Sequence, residues 1–356
     1  MKIKVLIVDD SAVIRSLLQH FISSEPDMEV VGTAPDPYVA RQLLVDLKPD
    51  VMTLDIEMPR MDGVTFLEKV MQHFPIRTVI VSSLSTKGSQ LSLRALEAGA
   101  IDVIEKPAID VKKGMDELRA QLVQRVRVAS KAHLVPRLKI KPPTSVPNSI
   151  SGNSRTALEK TTHQILAIAA STGGTEALKA VLTEMPHDIP GTVIVQHMPP
   201  VFTAQFARTL SSVCRFEVRE AKDGDRVIPG LALLAPGNFH MELHRSGAYY
   251  YVKLNQEAPE HSVRPAADVL FRSVAKYAGA NAVGLVLTGM GKDGAAGLLA
   301  MKNAGATTYC QDEKSSVVWG MPKAAYEIGA VKEMLPLGKI AGALITELKK
   351  RDVAAA

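Results

Sequence analysis

The sequence has little cysteine: Cys214 and Cys310 are the only two in 356 residues. Two thiols are too few for a disulfide framework or a zinc cluster, so both are expected to be reduced packing residues. Long hydrophobic runs are missing too. Apolar stretches such as Val5–Val8 and Ile165–Ala170 are strand-sized, far short of the ~20 residues that cross a bilayer. The opening Met1-Lys2-Ile3-Lys4 lacks the apolar core and small-residue cleavage site of a secretion signal. We expect a cytoplasmic protein with no membrane insertion. An excess of acid is also lacking. The net charge is +5, a sign that can indicate nucleic-acid binding. Much of that excess lies between Arg119 and Lys160, where Arg125, Arg127, Lys131, Arg137, Lys139 and Lys141 face few acids in sequence. A local basic linker accounts for the charge without a nucleic-acid groove.

What is present is the balance of a globular protein, 46% apolar and 22% charged, in a chain long enough for two domains. Residues 1–125 alternate apolar runs, Val5–Val8, Val51–Leu54, Thr78–Val81 and Ile101–Ile104, with helical faces. Ile14, Leu17, Leu18, Phe21 and Ile22 form one face, and Val64, Leu67, Val70 and Met71 another. Continuous runs suit buried parallel strands, so this half reads as an α/β domain with right-handed crossovers. Residues 126–161 lose the periodicity, and Pro136, Pro142, Pro143 and Pro147 mark a basic Pro/Ser-rich linker. From 162 to 350 the alternation resumes, at Ile165–Ala170, Thr192–Val195 and Val283–Leu287, with helices beginning near Thr175, Pro200 and Gly294. The β-forming stretch Tyr249–Leu254 reads as a hairpin strand on the same sheet.

The first half carries acids at strand ends. Asp9 and Asp10 end one strand and Asp55 ends another, where an open parallel sheet forms its binding crevice. Carboxylates gathered there repel one another, and Mg²⁺, which prefers oxygen ligands, relieves this. A carboxylate beside a metal can accept a phosphoryl group. Ser82 could donate a hydroxyl to such a group, and Lys106 could pair with it. An Asp-Asp pair alone could simply cap the following helix.

The second half carries a hydroxyl, an imidazole and a carboxylate, each near a strand end. Ile165 to Thr175 reads strand, sharp turn, helix, with small residues on both sides of Ser171. A phosphate or dinucleotide loop is a rival for this turn, but Gly173-Gly174 lacks the Gly-x-Gly-x-x-Gly pattern. His197 lies just past Thr192–Val195, and Asp293 lies in the glycine-rich loop after Val283–Leu287. Alone, the histidine could be structural and the aspartate a helix cap. Together they supply what a serine nucleophile needs, a base and an acid to orient it. These features give a serine hydrolase of ester or amide type.

Both halves resemble known families. Val8-Asp9-Asp10, Leu54-Asp55-Ile56-Glu57-Met58-Pro59, Met61-Asp62-Gly63, Val81-Ser82-Ser83 and Lys106-Pro107 are similar to response-regulator receiver domains. Ala170-Ser171-Thr172-Gly173-Gly174, Gln196-His197-Met198-Pro199 and Gly289-Met290-Gly291-Lys292-Asp293-Gly294 look like the motifs of the CheB methylesterase family. The resemblance implies a flavodoxin-like receiver with a five-stranded parallel sheet, then a doubly wound α/β catalytic domain with a mostly parallel sheet. It implies Asp55 as phosphoacceptor, Ser82 and Lys106 as switch residues, and Mg²⁺ held by Asp9, Asp10, Asp55 and the backbone carbonyl of Glu57. In the second half it implies Ser171 as nucleophile, His197 as base and acid, Asp293 as its partner, and oxyanion donors at Thr172 and Met290, with no cofactor. The implied activity is phosphorylation-stimulated hydrolysis of glutamate methyl esters, and deamidation of glutamines, on methyl-accepting chemotaxis receptors. A histidine kinase of the CheA type would donate phosphate. Val103, Ala169, Leu233 and Ala266 depart from residues frequent in these families. A DNA-binding response regulator and an inactive receptor adaptor are the rival functions. The C-terminal half has α/β alternation rather than a helix-turn-helix pattern, which speaks against the first.

Overall fold

The computed structural model describes residues 2–82, 86–106, 112–134 and 164–354. Ser83, Pro107, Pro136, Arg137, Lys139, Lys141, Pro142, Pro143 and Pro147 therefore lie outside the described residues, as does the proposed linker from 135 onward. The chain divides into two compact units, residues 1–137 and 138–356.

The first unit is a five-stranded sheet built from β1 (Ile3–Val8), β2 (Met28–Ala34), β3 (Val51–Asp55), β4 (Arg77–Ser82) and β5 (Asp102–Glu105). The order is β2-β1-β3-β4-β5 and all pairings are parallel. The reversal of strand order between β1 and β3 opens the crevice where ligands bind in such sheets. Helix α1 (Ala12–Ser23) starts at Ser11, whose hydroxyl accepts the Ile14 N–H, and buries Ile14, Leu18, Phe21 and Ile22 at helical spacing. Helix α2 (Pro37–Leu47) is capped by Asp36, and α3 (Gly63–His73) by Asp62, which accepts the Thr65 N–H at 2.9 Å. Helix α4 spans Thr86–Glu97, and α5 runs Lys112–Lys131, so residues 126–131 of the stretch read as linker are helical. The basic residues there are not without acids. Arg127 pairs with Asp27 and Glu25 at 2.7 Å, Arg119 with Glu25 at 3.0 Å, and Arg125 with Asp102. Sequence neighbours hid these partners because they come from other elements.

The second unit has a seven-stranded sheet: β6 (Ile165–Ala170), β7 (Gly191–Gln196), β8 (Glu217–Glu220), β10 (Leu231–Leu234), β13 (Ala282–Val286), β14 (Thr307–Gln311) and β15 (Glu333–Leu335). Its order is β15-β14-β13-β6-β7-β10-β8, and every pairing is parallel. The helices are α6 (Gly174–Thr183), α7 (Phe202–Val213), α8 (Ala267–Tyr277), α9 (Ala295–Asn303), α10 (Met321–Glu327) and α11 (Leu337–Ala354). Strands β6, β7 and β13 are wholly buried, which explains the apolar runs Ile165–Ala170, Val193–Val195 and Ala282–Val286 that they carry. Tyr249–Asn255 is a strand, β12, but not of this sheet. It pairs antiparallel with β11 (His240–Ser246) and β9 (Arg226–Val227) in a separate three-stranded sheet. Its alternation, with Tyr250 and Val252 buried and Tyr249 and Lys253 exposed, is that of a one-sided antiparallel strand. The core joins both sheets with α8 and α9, through Tyr250, Val252, Phe271, Val286 and Leu298.

Candidate active site

The switch point of the large sheet falls between β6 and β13, the neighbours from which the strand order runs both ways. Ser171 follows β6, His197 follows β7 and Asp293 lies in the loop after β13. The turn after β6 admits only glycine at 173. Gly173 has φ +76, and a Cβ there would lie 2.6 Å from Val317 Cβ. The Ser171 N–H donates to the Thr288 carbonyl at 3.0 Å, and the Thr288 hydroxyl lies 3.0 Å from the Thr172 carbonyl. Thr288 is fixed in turn by Gln311, whose Oε1 accepts its N–H at 2.8 Å. Gly289 passes so close that a Cβ would sit 2.8 Å from Ser171 Cβ. The next N–H, that of Met290, has no hydrogen-bond partner among the described residues.

His197 Nε2 and Asp293 Oδ2 are 2.8 Å apart, with both side chains nearly covered. The first turn of α8 clasps the same carboxylate: the Ala267 N–H donates to Oδ2 at 2.6 Å and the Asp268 N–H to Oδ1 at 2.9 Å. Burial pushes the Asp293 carboxyl up, but the bond to His197, its charge, and the two amides outweigh it and hold the group below the usual range. An ionised Asp293 makes Nε2 the protonated ring nitrogen and leaves Nδ1 as the free base. The His197 N–H donates to the Ala170 carbonyl at 3.2 Å, which puts residue 197 beside the turn carrying Ser171. Among the described residues the Ser171 hydroxyl has no hydrogen-bond partner, so the serine–histidine link is open in this conformation. Such links are often long without substrate.

Sequence reasoning missed Asp268. It is 1% exposed. Its carboxylate accepts the Gly297 N–H of α9 at 2.6 Å and faces His261 Nε2 at 2.9 Å. Asp293, just ahead of α9, caps α8, while Asp268, in α8, caps α9. The only sequence signal was an acid in a first helical turn, which many helices share.

In the first unit, Asp9 and Asp55 are each 1% exposed and Asp10 is exposed. Lys106 Nζ lies 2.9 Å from Asp9 Oδ2 and 2.8 Å from Asp55 Oδ2. Burial raises Asp55 most, Lys106 lowers it, Asp9 raises it, and the balance puts its pKa at about 6. Burial disfavours the Lys106 ammonium, yet its bonds to Asp55 and Asp9 raise its pKa overall. Ser82 ends β4, buried, and the Lys106 N–H donates to its carbonyl at 2.8 Å. The Glu57 N–H donates to Asp55 Oδ1 at 3.2 Å, and Gly63 packs on Asp55 so tightly that a Cβ would lie 2.9 Å from Ile56 Cα. Arg15, also missed in the sequence, donates to the carbonyls of Asp9 and Asp10 at 2.8 and 2.9 Å. Carboxylate oxygens of Asp9, Asp10 and Asp55 lie within 4.8 Å of one another, a hard-oxygen set that fits Mg²⁺. Among the described residues no helix is long and apolar enough to cross a membrane.

Comparison with known proteins matches residues 5–119 to the response regulator receiver domain and residues 166–344 to CheB methylesterase. A relative from Bdellovibrio bacteriovorus, named protein-glutamate methylesterase/protein-glutamine glutaminase, is 60% identical over 99% of both chains. One from Syntrophus aciditrophicus, with the same name numbered 2, is 54% identical over 97% of this chain and 98% of its own. The crystal structure of the Thermotoga maritima CheB methylesterase catalytic domain is 38% identical, with TM-score 0.51, covering 51% of this chain and 97% of that one. With a receiver fold bearing acids at its strand ends and a parallel sheet bearing Ser171, His197 and Asp293 at its switch point, the chain belongs to the CheB methylesterase family and carries a response regulator receiver domain.

Proposed function

We propose that this chain is a protein-glutamate methylesterase and protein-glutamine glutaminase acting on chemoreceptors in the cytoplasm, switched by phosphorylation of its receiver. The observation that carries the hydrolase reading is the 2.8 Å contact of His197 Nε2 with Asp293, beside the turn that bears Ser171.

Ser171 Oγ attacks the ester carbonyl carbon while His197 Nδ1 takes its proton, and Asp293 stabilises the resulting imidazolium. The carbonyl oxygen becomes an oxyanion that the Thr172 and Met290 N–H groups receive, each donor lowering the barrier by about 2.7–4 kcal/mol. The carbon–methoxy bond then breaks, His197 protonates the leaving oxygen, and methanol departs. Water, deprotonated by His197, attacks the acyl-serine and releases glutamate and free Ser171. With glutamine the same sequence releases ammonia. A methyl ester offers few contacts, so the receptor helix around it supplies most of the positioning.

In the receiver, Asp55 attacks a phosphoryl group offered by a CheA-type histidine kinase or a small phosphodonor. Asp9, Asp10, Asp55 and the Glu57 carbonyl would hold Mg²⁺, which supplies positive charge against the transferring group. Lys106, already bridging Asp9 and Asp55, pairs with the phosphoryl oxygens, and Ser82 donates its hydroxyl to one of them. The new dianion biases a two-state equilibrium toward the active enzyme. Residues 1–125 form the receiver, 126–161 the connection, and 162–350 the catalytic domain in this reading.

A serine-directed phosphonate tests the nucleophile. It should label the full chain at Ser171 and fail on Ser171→Ala; labelling of another serine at the parental rate sinks the assignment.

A further inference from the structure

We propose that the Gln196 carboxamide is a positioning residue that aims the Thr172 N–H, and so sets the oxyanion hole. The inference rests on the reading of Ser171 as the nucleophile.

Gln196 is the last residue of β7, paired in register with Ala170 of β6, and is 3% exposed. Its side chain turns across the sheet end rather than into the core. Nε2 donates to the Ser171 carbonyl at 2.9 Å and approaches the His197 carbonyl at 3.3 Å. The Ser171 carbonyl also accepts the Gly174 N–H at 2.7 Å. That carbonyl and the Thr172 N–H belong to one planar peptide unit and point in opposite directions. Two donors on the oxygen therefore fix the direction of the N–H. The same amide reaches the backbone of both proposed proton-transfer residues, Ser171 and His197.

The other end of the side chain identifies what it is kept for. Gln196 Oε1 is buried without a hydrogen-bond partner among the described residues, an arrangement that costs stability. An apolar side chain of this length would avoid that cost, so the donor half of the amide is the useful one. Gly174 fits the same picture. A Cβ at 174 would overlap Gln196 Oε1 and lie 2.7 Å from Ala170 Cβ. The helix start is thus cut back to a bare backbone where the carboxamide lies.

An oxyanion hole acts on the transition state and not on bound substrate, so its loss lowers kcat and leaves KM in place. The test uses the full chain and two variants of nearly the same shape that lack the donor, Gln196→Met and Gln196→Glu. Methanol release from methylated receptor membranes gives kcat and KM, with active sites counted by phosphonate labelling. The rate of that labelling is a second readout, because the phosphonyl oxygen occupies the same hole. Both variants should lose tenfold or more in kcat per active site and in labelling rate, with KM within twofold. A melting temperature taken beside them identifies a purely structural role, which moves stability and leaves kcat per active site alone. If both values stay within twofold of the parent in either folded variant, the positioning role is overturned while the nucleophile stands. If Ser171→Ala labels like the parent, the nucleophile reading falls and this inference with it.

Discussion

At the scale of single residues, two buried carboxylates are used in opposite ways. Asp293 is held ionised by an imidazole and two helix amides, and in the proposed mechanism it keeps the proton of His197 on Nε2. Asp293→Asn should leave the chain folded and lower kcat by about 10⁴, because an amide favours the wrong tautomer. Methanol release measured with active-site titration checks this, and a loss under tenfold speaks against the triad. Asp55 is held poised instead. Its pKa stands at about 6 against an ordinary 3.8 because burial and Asp9 outweigh Lys106. A raised folded value favours the protonated form. The stability it contributes is whole below about 3.8 and is lost as pH climbs through about 6. Asp55→Asn has no charge to gain, so between pH 4 and 7 the variant should gain on the parent by on the order of 3 kcal/mol. Calorimetric melting of the receiver transition in both proteins reads this out, and a difference independent of pH refutes it.

At the scale of elements, the ends of α8 and α9 hold one another. Asp293 caps α8, Asp268 caps α9, and Gly297 lets the two helices approach until a Cβ would lie 2.6 Å from Phe271 Cβ and 3.0 Å from the Asp268 carbonyl. An alanine in a helix ordinarily gains about 1 kcal/mol over glycine. Here crowding should reverse that, so Gly297→Ala should destabilise by about 1–2 kcal/mol and lower kcat by moving the amides that grip Asp293. Urea unfolding and turnover measured together check both, and a more stable variant with full activity contradicts the packing argument. None of this clasp is legible in the sequence, because its partners are separated by a strand and a loop. What is legible is what parallel strands write locally. Buried strands such as β6 and β13 are continuous apolar runs, and the residues that follow them lie at the crevice by topology alone. Strand β2, half-buried along most of its length and interrupted by Gly32, has no such run. Tyr249–Leu254 reads as a strand from composition, but its sheet depends on β9 and β11, which propensity does not reveal. The contact of His197 with Asp293 was inferable from the chemistry a hydroxyl nucleophile needs and from the family resemblance, and not from local patterning.

At the scale of the whole molecule, a receiver unit and a methylesterase unit share one chain, and in the proposed function phosphorylation of the first governs the turnover of the second. Methanol release from methylated chemoreceptor membranes, with and without a small phosphodonor and Mg²⁺, tests this most directly. The parent should release methanol and do so faster with phosphodonor; Asp55→Asn should keep basal release and lose the increase; Ser171→Ala should release none. Undiminished release from Ser171→Ala would contradict the nucleophile, and an undiminished phosphodonor response in Asp55→Asn would contradict control by the receiver.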